Sequence, residues 1–127
     1  MIKIIDIFYG WLTFQIQRNK FCVSYLDDFK YCMDYLLGIG EENQYKYHWD
    51  IESRSITLDG EGTDLKLSIT KYIYEDDFLL NWWVDDKQPV TMIFNYKDFI
   101  AQYQFEMNQI GEEVYKREFL MESEDNG

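Results

Sequence analysis

The feature that most constrains this chain is how often its hydrophobic residues return at every second position. In "DLKLSITKYIY" (64–74), Leu65, Leu67 and Ile69 point one way while Lys66, Ser68 and Thr70 point the other. That alternation is the pattern of a strand with one buried face. In residues 11–17, Leu12, Phe14 and Ile16 alternate with Thr13, Gln15 and Gln17; "QRNK" then supplies a turn, and Phe21, Val23 and Tyr25 continue the pattern. The stretch 11–26 therefore reads as a hairpin. Further strands are expected at 2–8 (an Ile-rich run suited to burial), around Tyr45, Tyr47 and Trp49, at "RSITL" (54–58), at "FLLNWWV" (78–84) and at "VTMIFN" (90–95).

The period changes twice. In "DDFKYCMDYLLGIG" (27–40), Phe29, Met33, Leu36 and Leu37 fall on one helical face, Asp27 or Asp28 can cap the start, and Gly38 and Gly40 end it. Beyond Asn95, which caps a second and longer helix with Asp98 in its first turn, an apolar stripe runs through Phe99, Ile100, Tyr103, Met107, Ile110 and Val114. The expected order is three strands, a short helix, about five strands and a closing helix. Short loops favour antiparallel neighbours, and both helices then cover one face of the sheet. This is a single α+β domain over 1–121, built on a mainly antiparallel sheet of six to eight strands. Residues 122–127 form a polar, frayed tail.

Charge narrows the functional classes. The 24 acidic residues outnumber the 12 basic ones, for a formal net charge of -12. Such a surface repels phosphate backbones and anionic membranes, which argues against direct nucleic-acid or membrane binding. It suits a basic protein partner, although solubility alone also explains it. Aromatic residues make up 19% of the chain, more than a core this small needs, so some must lie on the surface, where Tyr and Trp serve binding well. The N-terminus is broken by Asp6 and reads as a first strand rather than a signal peptide, and no segment approaches a transmembrane length. Cys22 and Cys32 lack metal-ligand spacing. They read as reduced thiols of a cytoplasmic protein, with one disulfide as the alternative.

Catalytic and metal motifs find little support. His48 is the single histidine, and with Asp50 two residues on it would share a strand face and allow a hydrogen-bonded pair. Neither cysteine sits in a nucleophile motif, and G-x-S-x-G does not occur. "DGEGTD" (59–64) has the carboxylate spacing of a calcium loop, but its sixth position is Asp64 and its twelfth Thr70, and strands flank it. No cofactor and no metal are expected.

The stretch "YIYEDDFLLNWWVDD" (72–86) is the most distinctive. Phe78, Leu80, Trp82 and Val84 share one face of its strand, and Leu79, Asn81 and Trp83 the other. Seven strand residues span roughly 23 Å at ~3.3 Å each, too far for Asp76–Asp77 and Asp85–Asp86 to form one glycosidase-like pair. Two readings stay open: a central strand covered on both sides, or an aromatic face with an acidic rim presented to a partner.

A small, acidic, cytoplasmic α+β chain of this kind resembles the immunity proteins of bacterial polymorphic-toxin and contact-dependent growth inhibition systems. "FCVSYLDDFKYCMDYLLGIG", followed by "YHWD" and "LKLSI", carries the likeness, which covers residues 11 to 110. The resemblance implies a monomeric, non-enzymatic inhibitor whose partner is the C-terminal domain of a secreted toxin, a nuclease with a basic substrate groove. Occlusion of that groove would use Glu75, Asp76, Asp77, Asp85 and Asp86 as a rim, with Tyr74 and Trp83 as anchors. The alternatives are an adaptor for a basic partner and a hydrolase using His48.

Overall fold

The computed structural model describes residues 1–8, 10–24, 29–60, 62–85 and 87–125, with 111–125 described by their backbone alone. The strands are β1 (Ile2–Phe8), β2 (Trp11–Ile16), β3 (Asn19–Ser24), β4 (Ile51–Leu58), β5 (Leu65–Tyr72), β6 (Asp77–Val84) and β7 (Val90–Asn95). Helix α1 (Phe29–Leu37) separates β3 from β4, and α2 (Tyr96–Asp125) follows β7. The class is α+β, with two antiparallel sheets in the orders β1-β2-β3 and β4-β5-β6-β7. One short seam joins them: Val23 forms an isolated bridge with Gly60, and the Ser24 N–H donates to the Asp59 carbonyl at 2.8 Å. Within each sheet, every strand lies beside its sequence neighbour, as short turns require.

Alternation decides what is buried. Leu12, Phe14 and Ile16 of β2, Leu65, Leu67 and Ile69 of β5, and Phe78 and Leu80 of β6 form one core with Phe29, Met33, Leu36 and Leu37 of α1. From α2, Phe99 and Tyr103 enter the same core, and Phe99 meets Phe78 edge-on at 5.2 Å. Helix α1 packs on β4 and β5, and α2 on β1 and β7. Two of the helix ends that sequence signals mark are built as those signals require. The Asn95 side chain accepts the Asp98 N–H at 3.0 Å. After α1, Gly38 at φ +70° donates to the Tyr35 carbonyl at 3.2 Å and Ile39 donates to the Asp34 carbonyl at 2.8 Å, the paired bonds of a Schellman cap.

Four expectations change. The strands divide into two sheets instead of one, because the chain leaves β3 through α1 and regains it only at the Val23–Gly60 bridge. β1 is not a uniformly buried run. A register shift between Ile4 and Asp6 restarts its alternation, so Ile2 and Ile7 are buried while Ile5 and Phe8 are exposed. Residues 45–49 form no strand; the chain reaches a tight turn at Trp49–Asp50 and β4 begins at Ile51, earlier than Arg54. The α2 backbone continues through Asp125, into the stretch expected as a tail from residue 122. The proposed Asp27 or Asp28 cap, Asp86, the Val114 side chain and residues 126–127 lie outside the described residues. Among the described residues, no helix is long and apolar enough to cross a membrane.

Candidate functional site

The two faces of β6 have different fates. Phe78 and Leu80 are buried, and Trp82 packs against the core with its ring edge-on to Phe21 at 5.0 Å, across the gap between the sheets. Leu79, Asn81 and Trp83 are half-buried on the opposite face. There register places Thr70, Leu79 and the exposed Ile93 in one row, and sets Lys66 beside Trp83. β6 is therefore central in its sheet, with one face in the core and the other only partly covered.

The expected rim residues sit at opposite ends of this strand. Tyr74, Glu75, Asp76 and Asp77 are exposed in and beside the β5–β6 turn, while Trp83 and the exposed Asp85 lie at the far end, where Asp85 adopts φ +52°. Length keeps them apart: eight residues of strand extend over roughly 26 Å at ~3.3 Å each. A contiguous surface can hold one group but not an enclosed site made of both.

The turn end contains what the sequence reading missed. His48 and Ile51 exchange two backbone hydrogen bonds, N–H to carbonyl at 2.9 and 3.1 Å, which close a two-residue reversal over Trp49 and Asp50. Both tip residues have positive φ, +54° and +65°, the backbone of a type I′ turn. Asn and Gly favour that geometry; a tryptophan there crowds its Cβ against the backbone. The Trp49 side chain gains nothing visible in return, being 97% exposed. This turn also removes the shared strand face on which a His48–Asp50 pair rested. The available signal was the tripeptide His-Trp-Asp between two alternating runs, which alternation alone carries straight through.

The Trp49 turn and the β5–β6 turn form one platform. The Ile73 N–H donates to the Asp50 carbonyl at 2.9 Å, extending the Ile51–Tyr72 pairing that starts the β4–β5 ladder. Beneath it, Lys71 is buried and donates to the Tyr72 and Glu75 carbonyls at 3.1 and 2.8 Å. Its ammonium also lies 5.2 Å from the centre of the Tyr96 ring. The Tyr96 N–H ties down the Asp76 carbonyl at 2.8 Å. The positive charge is turned inward on backbone oxygens, while Asp50, Glu75, Asp76 and Asp77 stay exposed. Tyr74 (83% exposed), Tyr72 and Ile73 add apolar surface beside Trp49.

A buried polar cluster supports the platform from the α1 side. Arg54 donates to Glu52 at 2.8 Å and to the carbonyls of Tyr35, Asn43 and Gln44 at 2.5, 2.7 and 3.1 Å. Its guanidinium stacks on the Tyr35 and Tyr45 rings at 4.7 and 4.6 Å. The Tyr45 and Tyr96 hydroxyls donate to the last α1 carbonyls, Leu36 and Leu37, each at 2.6 Å. Burial pushes the acidity of both phenols down, raising their pKa values above the usual tyrosine range, and neighbouring tyrosines add to the shift.

Cys22 and Cys32 are half-buried thiols that form no disulfide with each other. Among the described residues, no group of three or more His, Cys, Asp and Glu side chains is placed to hold a metal ion. Comparison with family models, curated proteins and solved structures returned no match to this chain.

Proposed function

We propose that this chain is an immunity protein: a cytoplasmic, monomeric inhibitor that binds the basic C-terminal domain of a cognate secreted toxin, with a nuclease as the target best suited to it. The observation that carries this reading is the platform of Trp49, Asp50 and residues 72–77, where exposed aromatic residues and exposed carboxylates share a hydrogen-bonded base. Aromatic anchors with a charged rim are the composition of a protein-binding hot spot. The carboxylates occupy ground meant for substrate phosphates, and the rings supply the contact that water cannot screen. An interface of about 1,600 Å² centred here is enough for tight inhibition.

The β5–β6 end is favoured over the Asp85 end because it combines four exposed carboxylates with Trp49 and Tyr74, the two most exposed aromatic side chains among the described residues. The test is to look for a large secreted protein encoded immediately upstream and to co-express its C-terminal domain with this chain, reading both cell survival and co-purification. Failure of both refutes the inhibitor reading. Within a working pair, Asp76→Lys with Asp77→Lys should slow association by roughly tenfold or more at low salt and flatten its salt dependence. Asp85→Lys should have the smaller effect, and the reverse order would move the interface to the other end of β6.

A further inference from the structure

We infer that the platform receives an arginine side chain of the partner, stacked on Trp49 and bonded to the adjoining carboxylates; this rests on the inhibitor reading and names the chemistry that the same surface selects. The rings and acids needed lie on two turns joined through their backbones. The Asp50 carbonyl holds the Ile73 N–H at 2.9 Å, and Tyr74, Glu75 and Asp76 follow directly along the chain. Among the described residues, the ion pairs are Lys30–Asp34 and Arg54–Glu52, so no platform carboxylate holds a cation of its own. Lys46, on the segment leading into the turn, is exposed, and Lys71 is committed to backbone oxygens beneath.

A guanidinium fits this surface better than an ammonium. It is flat and weakly hydrated, so one face can lie on an indole or phenol while its in-plane N–H groups reach a carboxylate. An ammonium must shed a tighter water shell to make either contact. The same protein already uses this arrangement inside: Arg54 lies on Tyr35 and Tyr45 at 4.7 and 4.6 Å while donating to Glu52 at 2.8 Å. The platform presents the rings and carboxylates of that arrangement to solvent, without the arginine.

The probe is a pair of peptides matched in charge, octa-arginine and octa-lysine, titrated into the full chain at about 150 mM salt, where exposed charges are screened beyond ~8 Å. Octa-arginine is expected to bind about two- to fivefold more tightly, the range that a surface cation–π contact supplies. Trp49→Ala should abolish that preference, whereas Trp11→Ala, on β2, should leave it. Circular dichroism melts establish that each variant folds, and Trp49 is exposed enough for its removal to be tolerated. Equal affinity for the two peptides, or a preference that survives Trp49→Ala, overturns the inference. Toxin protection that persists alongside such a result leaves the inhibitor reading standing. A Trp49-dependent arginine preference without any protection overturns the inhibitor reading alone.

Discussion

Replacing Trp49 by Asn should make the protein more stable while impairing its binding. Trp49 occupies the first central position of the reversal between His48 and Ile51, at φ +54°. For an ordinary L-residue this backbone costs about 1–2 kcal/mol, and Asn, whose short side chain tolerates it, avoids most of that cost. Loss of the ring removes almost no burial, because it is 97% exposed. The net gain is therefore about 1 kcal/mol. Unfolding entropy of ~2.1 cal/mol/K per residue gives about 0.27 kcal/mol/K for a chain of this length, so Tm should rise by roughly 4 °C. The assay is a calorimetric or circular-dichroism melt of Trp49→Asn beside the wild type, with the toxin-protection readout run in parallel. A Tm that falls or does not change refutes the reasoning, for it would mean that the ring contributes packing energy or that the turn is not strained. A higher Tm with weaker protection is the expected outcome, and it would identify Trp49 as a residue kept at a cost to stability.

Two other perturbations probe the supporting cluster. Arg54→Lys keeps the charge but loses the planar fork, leaving the carbonyls of Tyr35, Asn43 and Gln44 short of donors and Glu52 without its bidentate-capable partner. Denaturant unfolding should show a loss of about 3–5 kcal/mol, and a change under 1 kcal/mol would show that the cluster is more solvated than its geometry implies. Alkaline pH should also destabilise the fold. The phenols of Tyr45 and Tyr96 ionise at higher pH when folded than the ordinary value of 10.0. The unfolded chain therefore releases these protons first, and their contribution, fully present below about pH 10, is lost progressively as pH rises above it. Melts between roughly pH 8 and 11 should show the decline, and Tyr45→Phe should make it shallower. An equally steep decline in that variant would remove Tyr45 as a cause.

Where one residue's neighbours along the chain decided its environment, the structure was legible in the sequence. The period-two runs became β2, β5, β6 and β7, the apolar face Phe29, Met33, Leu36 and Leu37 became the buried side of α1, and Asn95 capped α2. Where backbone conformation overrode side-chain pattern, it was not. Tyr45, Tyr47 and Trp49 alternate as a strand does, yet Tyr45 is drawn under α1 by its bond to the Leu36 carbonyl, and the chain reverses four residues later. In β1 the run of isoleucines concealed a bulge, because every candidate register buries some isoleucine and composition cannot choose among them. The site divides the same way. Exposed acids at 75–77 were visible as a cluster, but Trp49 joins them only through the pairing of Ile51 with Tyr72, a contact between distant stretches.

The placement of the basic residues gives the platform its character. Two of the few cations, Arg54 and Lys71, are buried, and both satisfy backbone carbonyls: Lys71 at the β5–β6 turn and Arg54 at the end of α1 and in the segment that follows it. Both charges are thereby drawn away from the exposed platform, while the Lys71 hydrogen bonds hold its β5–β6 turn in place. A buried ammonium or guanidinium is costly unless well bonded, and a chain needing only a stable core would gain as much from apolar residues at those positions. What the cations supply is geometric: Lys71 holds the carbonyls of Tyr72 and Glu75, so the backbone between them presents Ile73 and Tyr74 outward. The strain at Trp49 belongs to the same design, since an indole on a two-residue reversal has few ways to fold back onto its own surface. Rigidity here would lower the ordering cost of binding, which under the proposed inhibitor function would translate directly into affinity.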